Sequence, residues 1–278
     1  MALVLARLPH YQTGLMQSDV GRISVLDRPL LIGLDRTWYL KIAFLDNALR
    51  KLRGKRKVTP TKVLFDTLSG FGLKADHIVD VGANHGDWTR EALQHYPQAR
   101  VTMFEPQKKL AEYHIDLAGN PKIDLHYCGL GDRDGTQTFT LHDRDDSSSF
   151  VYSEEEARDH GYTQIEIDIR KLDTVLKSSA FGAPQIVKID AEGFDLQVLK
   201  GANQTLKTAE VVLVEAAVCN PTYDNTVLEV VKAMDKLGMT LWSITDLNRT
   251  PNRKILWLIE AVFVPKGGML HRAAQTYD

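Results

Sequence analysis

The sequence predicts an α/β fold with a seven-stranded, mostly parallel β-sheet whose last strand runs antiparallel to the others. Short apolar runs alternate with amphipathic helical patterns between residues 61 and 270, as expected for strands that helices cover on both faces. A glycine-rich turn follows the first apolar run, at residues 82–86. The final two runs, 239–245 and 255–264, are separated by DLNRTPNRK, which is too short for a helical crossover. These two strands are therefore expected to pair antiparallel.

The glycine-rich turn lies between a predicted strand and a predicted helix. Ile78–Val81 has the apolar pattern of a buried strand, and Asp87 begins a segment with apolar residues at helical spacing. Gly82, Asn84 and Gly86 occupy alternate positions between them. Such a turn bends the backbone tightly and directs its amides and the helix N-terminus at a ligand above the sheet.

An acidic residue follows the second predicted strand. Glu105 comes directly after Arg100–Phe104, 23 residues beyond Gly82. This spacing suits a carboxylate that binds the hydroxyls of a ribose held over the glycine turn. The sequence therefore predicts a ribose-containing cofactor. A dinucleotide is disfavoured because the turn reads G-x-N-x-G and lacks the third glycine of G-x-G-x-x-G.

A second glycine-rich segment follows a predicted helix at 107–118 and a predicted third strand at 123–127. It is expected to be a flexible turn, either a plain one or one that contacts the adenine ring of a cofactor. The candidates for that contact are Gly129, Leu130, Gly131 and Asp132. Beyond it, residues 136–141 and 163–170 alternate apolar and polar positions, which predicts an antiparallel pair.

Acidic residues also follow two strands in the second half of the chain. Residues 186–189 have a buried-strand pattern that leads into Asp190 and Glu192, and residues 210–214 lead into Glu215. Because the carboxyl ends of parallel strands meet at one edge of the sheet, these carboxylates are expected to lie close together and near the cofactor. They would repel one another unless they bind hydrogen-bond donors, a cation or a proton.

Composition places the chain among ordinary globular proteins, with 44% hydrophobic and 25% charged residues. A net charge of −2 argues against nonspecific binding of nucleic acid by the whole molecule. The two cysteines, Cys128 and Cys219, form neither a disulfide framework nor a zinc-ligand spacing, which favours a reducing compartment. No signal-peptide pattern and no run of about 20 apolar residues is present, so a cytoplasmic location is expected.

Residues 1–60 are predicted to be a helical extension that precedes the main domain at 61–270 and a tail at 271–278. Within the extension, residues 35–52 carry apolar side chains at spacings of three and four, which predicts an amphipathic helix. Six of the eight residues from 50 to 57 are basic. A solvated helix end is the favoured interpretation, and peripheral contact with a membrane surface or a polyanion is the alternative. The apolar stripe either folds back on the main domain or pairs with a second copy in a homodimer.

Six segments between residues 79 and 264 form a recognisable series. They read VDVGANHG, FEP, LGDRDG, KLDTVL, VKIDAEGFDLQVLKG and LWLIEAVFV. In this order and spacing they resemble the FkbM-type family of S-adenosylmethionine-dependent methyltransferases, and the resemblance covers residues 76–266. VDVGAN followed by KIDAEG is fairly specific as a pair, whereas either segment alone is weak. Ala191 and Asp195 depart conservatively from the family pattern, and His85 occupies a variable position.

The resemblance implies a class I methyltransferase fold of the Rossmann-like kind, S-adenosylmethionine as cofactor and methyl transfer to an oxygen. The acceptor would be a hydroxyl on a sugar, a glycan or a secondary metabolite, and no nucleic acid is expected. Carried onto this sequence, the cofactor-binding residues are Asp80, Gly82, Asn84, Gly86, Glu105, Pro106, Gly129, Leu130, Gly131, Asp132, Asp190 and Glu192.

Methyl transfer to a hydroxyl also needs a group that takes the hydroxyl proton. Asp190 is the first candidate base and Glu215 the second, with Lys188 as an orienting cation. His85 is a further candidate base, or equally a solvent-facing cap. Asp190 with Glu215 also resembles part of the divalent-cation site of catechol-type O-methyltransferases. Mg²⁺ is therefore a candidate second cofactor, although the sequence offers no evident third ligand.

Two other functions compete with methyl transfer. One is a cofactor-binding scaffold that has lost turnover and docks to a membrane or partner, against which the intact Asp80, Glu105, Asp190 and Glu192 argue. The other is a nicotinamide-dependent oxidoreductase, which the missing third glycine and the predicted terminal hairpin disfavour. Methylation of nucleic acid is disfavoured because no NPPY-like tetrad appears.

Overall fold

The computed structural model describes residues 58–142, 147–218 and 223–274. The predicted helix at 35–52 and the basic run at 50–57 lie outside these residues. The described helices are α1 (Pro60–Gly70), α2 (Asp87–His95), α3 (Ile115–Ala118, preceded by a 3₁₀ helix, Lys108–His114), α4 (Glu154–His160), α5 (Leu172–Lys177), α6 (Asp195–Gly201), α7 (Asn203–Leu206), α8 (Val227–Lys236) and α9 (Met269–Ala273). The strands are β1 (His77–Val81), β2 (Arg100–Phe104), β3 (Ile123–His126), β4 (Gly129–Leu130), β5 (Gly135–Leu141), β6 (Thr163–Arg170), β7 (Ile186–Ile189), β8 (Val211–Ala217), β9 (Met239–Arg249) and β10 (Leu256–Pro265).

The main sheet contains seven strands in the order β3-β2-β1-β7-β8-β10-β9. Neighbouring strands from β3 to β8 pair parallel, whereas β10 runs antiparallel to both β8 and β9. This is the Rossmann-like arrangement of class I methyltransferases, so the predicted fold class is confirmed. The strand order reverses between β1 and β7, and open α/β sheets bind their ligands at such a switch point.

Apolar side chains alternate between the two faces of this sheet and form a separate core on each. Ile78 and Ile186 pack on one face with α1 and α2, through residues such as Phe65. Val79 and Val187 pack on the other face with α6 and α8. All four strand residues are fully buried. β1 and β7 are therefore fixed from both sides, and the loops at their carboxyl ends are left to form a site.

The segment predicted as one helix at 107–118 differs from that prediction. It forms the 3₁₀ helix followed by the single turn of α3. His114 is buried between them, and its ring nitrogens bond to the Asn84 carbonyl and the Tyr127 hydroxyl. These contacts with distant residues override the local helical pattern, because tertiary interactions outweigh helix propensity in short segments.

The strand predicted at 210–214 is longer than predicted, because β8 continues to Ala217. β10 pairs with β8 beyond the point where β7 ends, and this pairing extends the strand. Glu215 therefore lies inside a strand, opposite Glu260, rather than at a strand end. It is still one residue past Val214, the last β8 residue that pairs with β7, so it remains close to the β7 end.

A second sheet has three strands in the order β4-β6-β5. The predicted antiparallel pair is confirmed as β5 and β6. The flexible turn predicted at 129–132 is wrong in its first half, because Gly129 and Leu130 form β4 and pair parallel with β6. A Cβ on Gly201 would lie only 1.9 Å from the Gly131 carbonyl oxygen, so this glycine lets the second sheet pack closely against α6.

The described part of the chain ends in a helix. α9 covers Met269–Ala273, so the tail predicted from residue 271 begins within helical structure. Leu270 of α9 is buried in the same core as α1. Within the part of the chain that the structure describes, no helix has both the length and the apolar character needed to span a bilayer.

Candidate active site

The turn after β1 is tightly bent and lies against the end of β7. Gly82 has a φ of 73°, and a Cβ there would lie 1.8 Å from the Asp190 carbonyl oxygen. Asn84 adopts a left-handed φ of 45°, and its Oδ1 accepts a hydrogen bond from the His85 amide at 2.7 Å. Glycine is therefore required at position 82 by both conformation and space, whereas asparagine tolerates the conformation at position 84.

The carboxylate of Glu105 closes this turn from the neighbouring strand. Its two oxygens accept hydrogen bonds from the backbone amides of Asn84 and Gln107, each at 2.8 Å. Burial raises the pKa of Glu105 above its ordinary value, and these two amide bonds oppose the rise. Each carboxylate oxygen keeps a lone pair for a ligand. The acid predicted to bind ribose therefore also sets the shape of the turn.

A first cavity opens beside Glu105. Glu105, Gln107, Ser148 and the turns after β1 and β7 provide its polar lining. Its apolar lining includes Val81, Phe104, Cys128, Leu130, Phe139, Ala191 and Phe150. A buried carboxylate for the ribose hydroxyls and an apolar wall for the base are what a nucleoside requires, so these residues fit S-adenosylmethionine.

Eight of the twelve predicted cofactor-binding residues line the first cavity. They are Gly82, Asn84, Glu105, Pro106, Gly129, Leu130, Asp190 and Glu192. The other four lie outside its lining. Asp80 is buried beneath the turn, where it accepts a 2.6 Å hydrogen bond from Thr89. Gly86 precedes α2 with a φ of 81°, Gly131 packs against α6, and Asp132 is exposed.

The turn after β7 is held by an acid from the helix that follows it. Asp195, the first residue of α6, accepts hydrogen bonds from the amides of Ala191 at 3.0 Å and Gly193 at 3.2 Å. It also accepts one from Nδ2 of Asn225 at 2.7 Å. Burial raises the pKa of Asp195 to about 7, although the amide bonds oppose the rise. These bonds fix the left-handed φ of 50° at Glu192, so Asp195 shapes the turn and does not face a ligand.

Lys188 connects the two turns. Its Nζ lies 3.1 Å from Asp190 Oδ2 and 3.5 Å from Asp80 Oδ1, and it donates to the Gly82 carbonyl at 3.3 Å. Burial opposes the charge of Lys188, but the carboxylates of Asp190 and Asp80 more than offset this and raise its pKa above the ordinary value. A permanently charged ammonium beside Asp190 suits the orienting role predicted for it.

Three carboxylates come together where the two turns meet. One oxygen each of Asp190, Glu192 and Glu215 lies within 4.8 Å of the others. Burial raises the pKa of Glu215 well above its ordinary value, and the charges of Asp190 and Glu192 raise it further. Its Oε2 is buried and finds no hydrogen-bond partner within the described part of the chain. Such a group either shares a proton among its members or holds a cation, and Glu192 adds a third carboxylate to the two that the sequence suggested for a cation.

A second cavity of about 900 Å³ lies on the other side of Asp190. It shares Gly82, Asn84 and Asp190 with the first cavity. Three more predicted catalytic residues line it, namely Lys188, Glu215 and His85. The ring of His85 stacks on that of Tyr113, with the ring centroids 4.0 Å apart. The structure thus brings all four predicted catalytic residues to one cavity.

The terminal hairpin supplies cavity residues that sequence reasoning missed. Asp246 and Asn248 of β9 and Glu260 of β10 line the second cavity. Asp246 pairs with Glu260 in the hairpin register, and Glu260 accepts a hydrogen bond from Thr245 Oγ1. One signal was available, because Glu260 is the single charged residue in the apolar run 255–264.

Comparison with known proteins identifies the family. Residues 80–240 match the family model described as methyltransferase FkbM domain. The chain belongs to this family. The motifs VDVGANHG and KIDAEG, which form the two turns described above, lie within the matched residues or overlap their start.

Among curated proteins similar to this chain, methyltransferase sdnD of Sordaria araneosa is 27% identical over 156 residues, or 46% of this chain. The chain spans 60% of the length of that relative. The 2-O-methyltransferase NoeI of Sinorhizobium fredii is 23% identical over 194 residues, which are 64% of this chain and 80% of the relative. A crystal structure of methyltransferase FkbM from Methylobacillus flagellatus aligns with a TM-score of 0.45 at 19% identity, covering 67% of this chain and 43% of that one.

Proposed function

We propose that this protein is an S-adenosylmethionine-dependent methyltransferase that methylates a hydroxyl group on a sugar, a glycan or a secondary metabolite. One observation carries the proposal. The two cavities meet at Gly82, Asn84 and Asp190, so a cofactor in the first cavity and an acceptor in the second would come together beside a carboxylate. Transfer between two bound molecules depends mainly on such positioning. The relative named as a 2-O-methyltransferase supports oxygen as the acceptor atom.

The first cavity is assigned to the cofactor. When bound, S-adenosylmethionine supplies a methyl group activated by a positively charged sulfur. The Glu105 oxygens would accept hydrogen bonds from its ribose hydroxyls, and Leu130, Phe139 and Phe150 would pack against its adenine. Membership of the FkbM family supports this cofactor over a dinucleotide.

Asp190 is assigned the role of general base. It lines both cavities, and 35% of its side chain is exposed, so an acceptor hydroxyl can reach it. A base must lie within hydrogen-bond reach of the proton that it takes. Lys188 orients the carboxylate from one side, 3.1 Å away. Glu215, whose pKa burial raises, is the second candidate, and it would act once ionised.

A divalent cation such as Mg²⁺ is a subsidiary part of the proposal. Asp190, Glu192 and Glu215 would hold it, and it would supply Lewis acidity toward an acceptor oxygen. The unpartnered buried oxygen of Glu215 supports a ligand at this point. Titration with Mn²⁺, followed by electron paramagnetic resonance, should detect binding in the wild type that Glu215→Gln abolishes and Glu154→Gln on the exposed α4 preserves. Absence of binding in the wild type would leave the shared proton as the account of the cluster.

Calorimetric titration tests the main proposal. Wild-type protein should bind S-adenosylmethionine in the micromolar range and should not bind NADH. Glu105→Ala should abolish this binding, whereas Glu155→Ala, at an exposed acid of α4 that lines neither cavity, should preserve it. Circular dichroism of both variants checks that they fold. No binding of S-adenosylmethionine, or a preference for NADH, would refute the proposal, and binding without methyl transfer to any hydroxyl would favour the inactive scaffold.

A further inference from the structure

The second cavity is strongly acidic. Five carboxyl groups line it, and Lys188 is the one lysine or arginine among the described residues of its lining. The acids are Asp87, Asp190, Glu215, Asp246 and Glu260. Lys188 is already engaged by Asp190 and by Asp80 beneath the turn. The cavity therefore has a net negative charge even when some of the buried acids are protonated. Because the ammonium of Lys188 is already paired with these two carboxylates, it does not offset the repulsion of an anionic ligand.

One wall of the second cavity is formed by the β9–β10 hairpin, which follows all of the cofactor motifs in the sequence. Asp246 and Glu260 face each other across β9 and β10, and Asn248 lies beside them in the lining. Burial raises the pKa of Glu260, while its hydrogen bond from Thr245 opposes the rise. These side chains offer carboxylate and amide oxygens, which accept hydrogen bonds from hydroxyl or ammonium groups. They repel a carboxylate or a phosphate.

Trp88 lines the same cavity and adds an aromatic surface. Its Nε1–H is buried and has no hydrogen-bond partner among the residues that the structure describes. Aromatic rings beside acceptors of hydrogen bonds provide both an apolar face and polar contacts, which suits a ring that carries several hydroxyls.

We propose that the second cavity binds an uncharged or cationic polyhydroxylated ring, such as a neutral sugar or an amino sugar, and rejects acids and phosphate esters. Asp246 and Glu260 set this preference. The proposal rests on the methyl-transfer function proposed above and narrows its acceptor class. The cavity would discriminate between these ligands by electrostatic repulsion. Binding of an anion beside two carboxylates is unfavourable, whereas binding of a neutral or cationic ring carries no such penalty.

Three methyl glycosides that share one ring test this proposal. Methyl glucoside, methyl glucosaminide and methyl glucuronide are neutral, cationic and anionic at pH 7.5. Their affinities for protein saturated with S-adenosylhomocysteine are measured by saturation-transfer NMR, once with EDTA and once with Mg²⁺. We expect the glucosaminide to bind at least as tightly as the glucoside, and the glucuronide to bind about tenfold more weakly or worse.

A variant whose hairpin carries no acidic side chain at these two positions tests whether Asp246 and Glu260 are responsible for the charge preference. Asp246→Asn combined with Glu260→Gln should reduce the affinity ratio of glucosaminide to glucuronide by about tenfold. Glu166→Gln combined with Asp168→Asn removes the same charge from the exposed face of β6 and should leave the ratio unchanged. This control separates a local effect of the hairpin from the net charge of the protein.

Three results would overturn the proposal: a glucuronide that binds as tightly as the glucosaminide, a ratio that the hairpin variant leaves unchanged, or no binding of any of the three rings. In each case the proposed methyl-transfer function would survive, because the protein would still bind S-adenosylhomocysteine. Failure of the wild type to bind S-adenosylhomocysteine would instead overturn the proposed function, together with the acceptor class that rests on it.

Discussion

The turns that follow β1 and β7 have the same architecture but are held in different ways. Each joins a buried strand to a helix, and each contains a non-glycine residue with a left-handed φ, 45° at Asn84 and 50° at Glu192. The turn after β1 is held by Glu105, which follows another strand and lines the first cavity. The turn after β7 is held by Asp195, which belongs to its own helix and lines neither cavity.

This difference indicates which of the two turns is coupled to ligand binding. A ligand hydroxyl that binds Glu105 acts on the same carboxylate that positions the Asn84 amide, so binding and turn shape are coupled. Asp195 has no such double role and positions the residues around Glu192 whether or not a ligand is present. Substitutions that disturb the first turn should therefore alter binding, and those that disturb the second should alter stability.

The largest effect is expected where the two turns touch. Gly82→Ala would place a methyl group 1.8 Å from the Asp190 carbonyl oxygen at a φ of 73°. We expect the free energy of unfolding to fall by about 3 kcal/mol or more and the affinity for S-adenosylmethionine to fall by about 100-fold or more. Urea unfolding and calorimetry measure the two effects. Gly72→Ala, with a φ of 83° but open space around it, should lose only about 1 kcal/mol and no affinity.

The next effect separates the two stabilising acids. Asp195→Ala removes the acceptor of three hydrogen bonds, two of them buried and one partly buried, and should lower the free energy of unfolding by about 2–4 kcal/mol. Glu105→Ala should lower it by only about 1–2 kcal/mol, because two bonds are lost. Thermal unfolding with and without S-adenosylmethionine should show ligand stabilisation in the first variant and none in the second. Ligand stabilisation of Glu105→Ala but not of Asp195→Ala would contradict the division of roles between the turns.

A pH-dependent effect is expected from Glu215. Its pKa is raised in the folded state, so folding favours the protonated form, and stability falls as the pH rises through the folded pKa. Glu215→Gln removes this loss, so the variant should be about 1 kcal/mol more stable than the wild type at pH 8 and should vary less with pH. Urea unfolding at pH 5.5 and pH 8 measures the difference. A variant that is less stable than the wild type at pH 8 would contradict the expectation.

The smallest effect compares the two left-handed residues. Glu192→Gly relieves an unfavourable backbone conformation and should raise the free energy of unfolding by about 0.5–1 kcal/mol. Asn84→Gly should give no gain, because it also removes the Asn84 side-chain bond to the His85 amide. Urea unfolding of both variants at pH 7 tests this, and equal gains would show that the Asn84 side chain adds nothing to its turn.

Local patterns predict the main sheet because each strand is bounded by polar or glycine residues. The run 186–189 and the glycine turn at 82–86 are recognised from their own residues, and Glu105 is recognised from its distance along the chain. The same reasoning fails at 107–118, where bonds from His114 to distant residues replace a regular helix with a 3₁₀ helix and one turn. Local propensity cannot report such contacts.

The residues that line the second cavity cannot all be predicted from local sequence patterns. Asp246 and Glu260 come together through the register of the hairpin, which contains several bulges that no alternation pattern reveals. The extension of β8 past β7, which places Glu215 beside them, likewise depends on pairing with β10. The assignment of Asp195 to the turn and not to a ligand also requires coordinates, because an acid at a helix start has the same sequence pattern in either role.

The terminal hairpin also bears on how such enzymes diversify. The family match ends at residue 240, one residue after β9 begins, whereas Asp246 and Glu260 lie beyond it. The residues proposed for the cofactor and for the base all lie within the match, between Gly82 and Glu215. If the hairpin selects the acceptor as proposed, a change confined to the hairpin would give an enzyme a new acceptor and leave its cofactor site and base unchanged. Grafting hairpins between relatives would allow protein engineers to do the same.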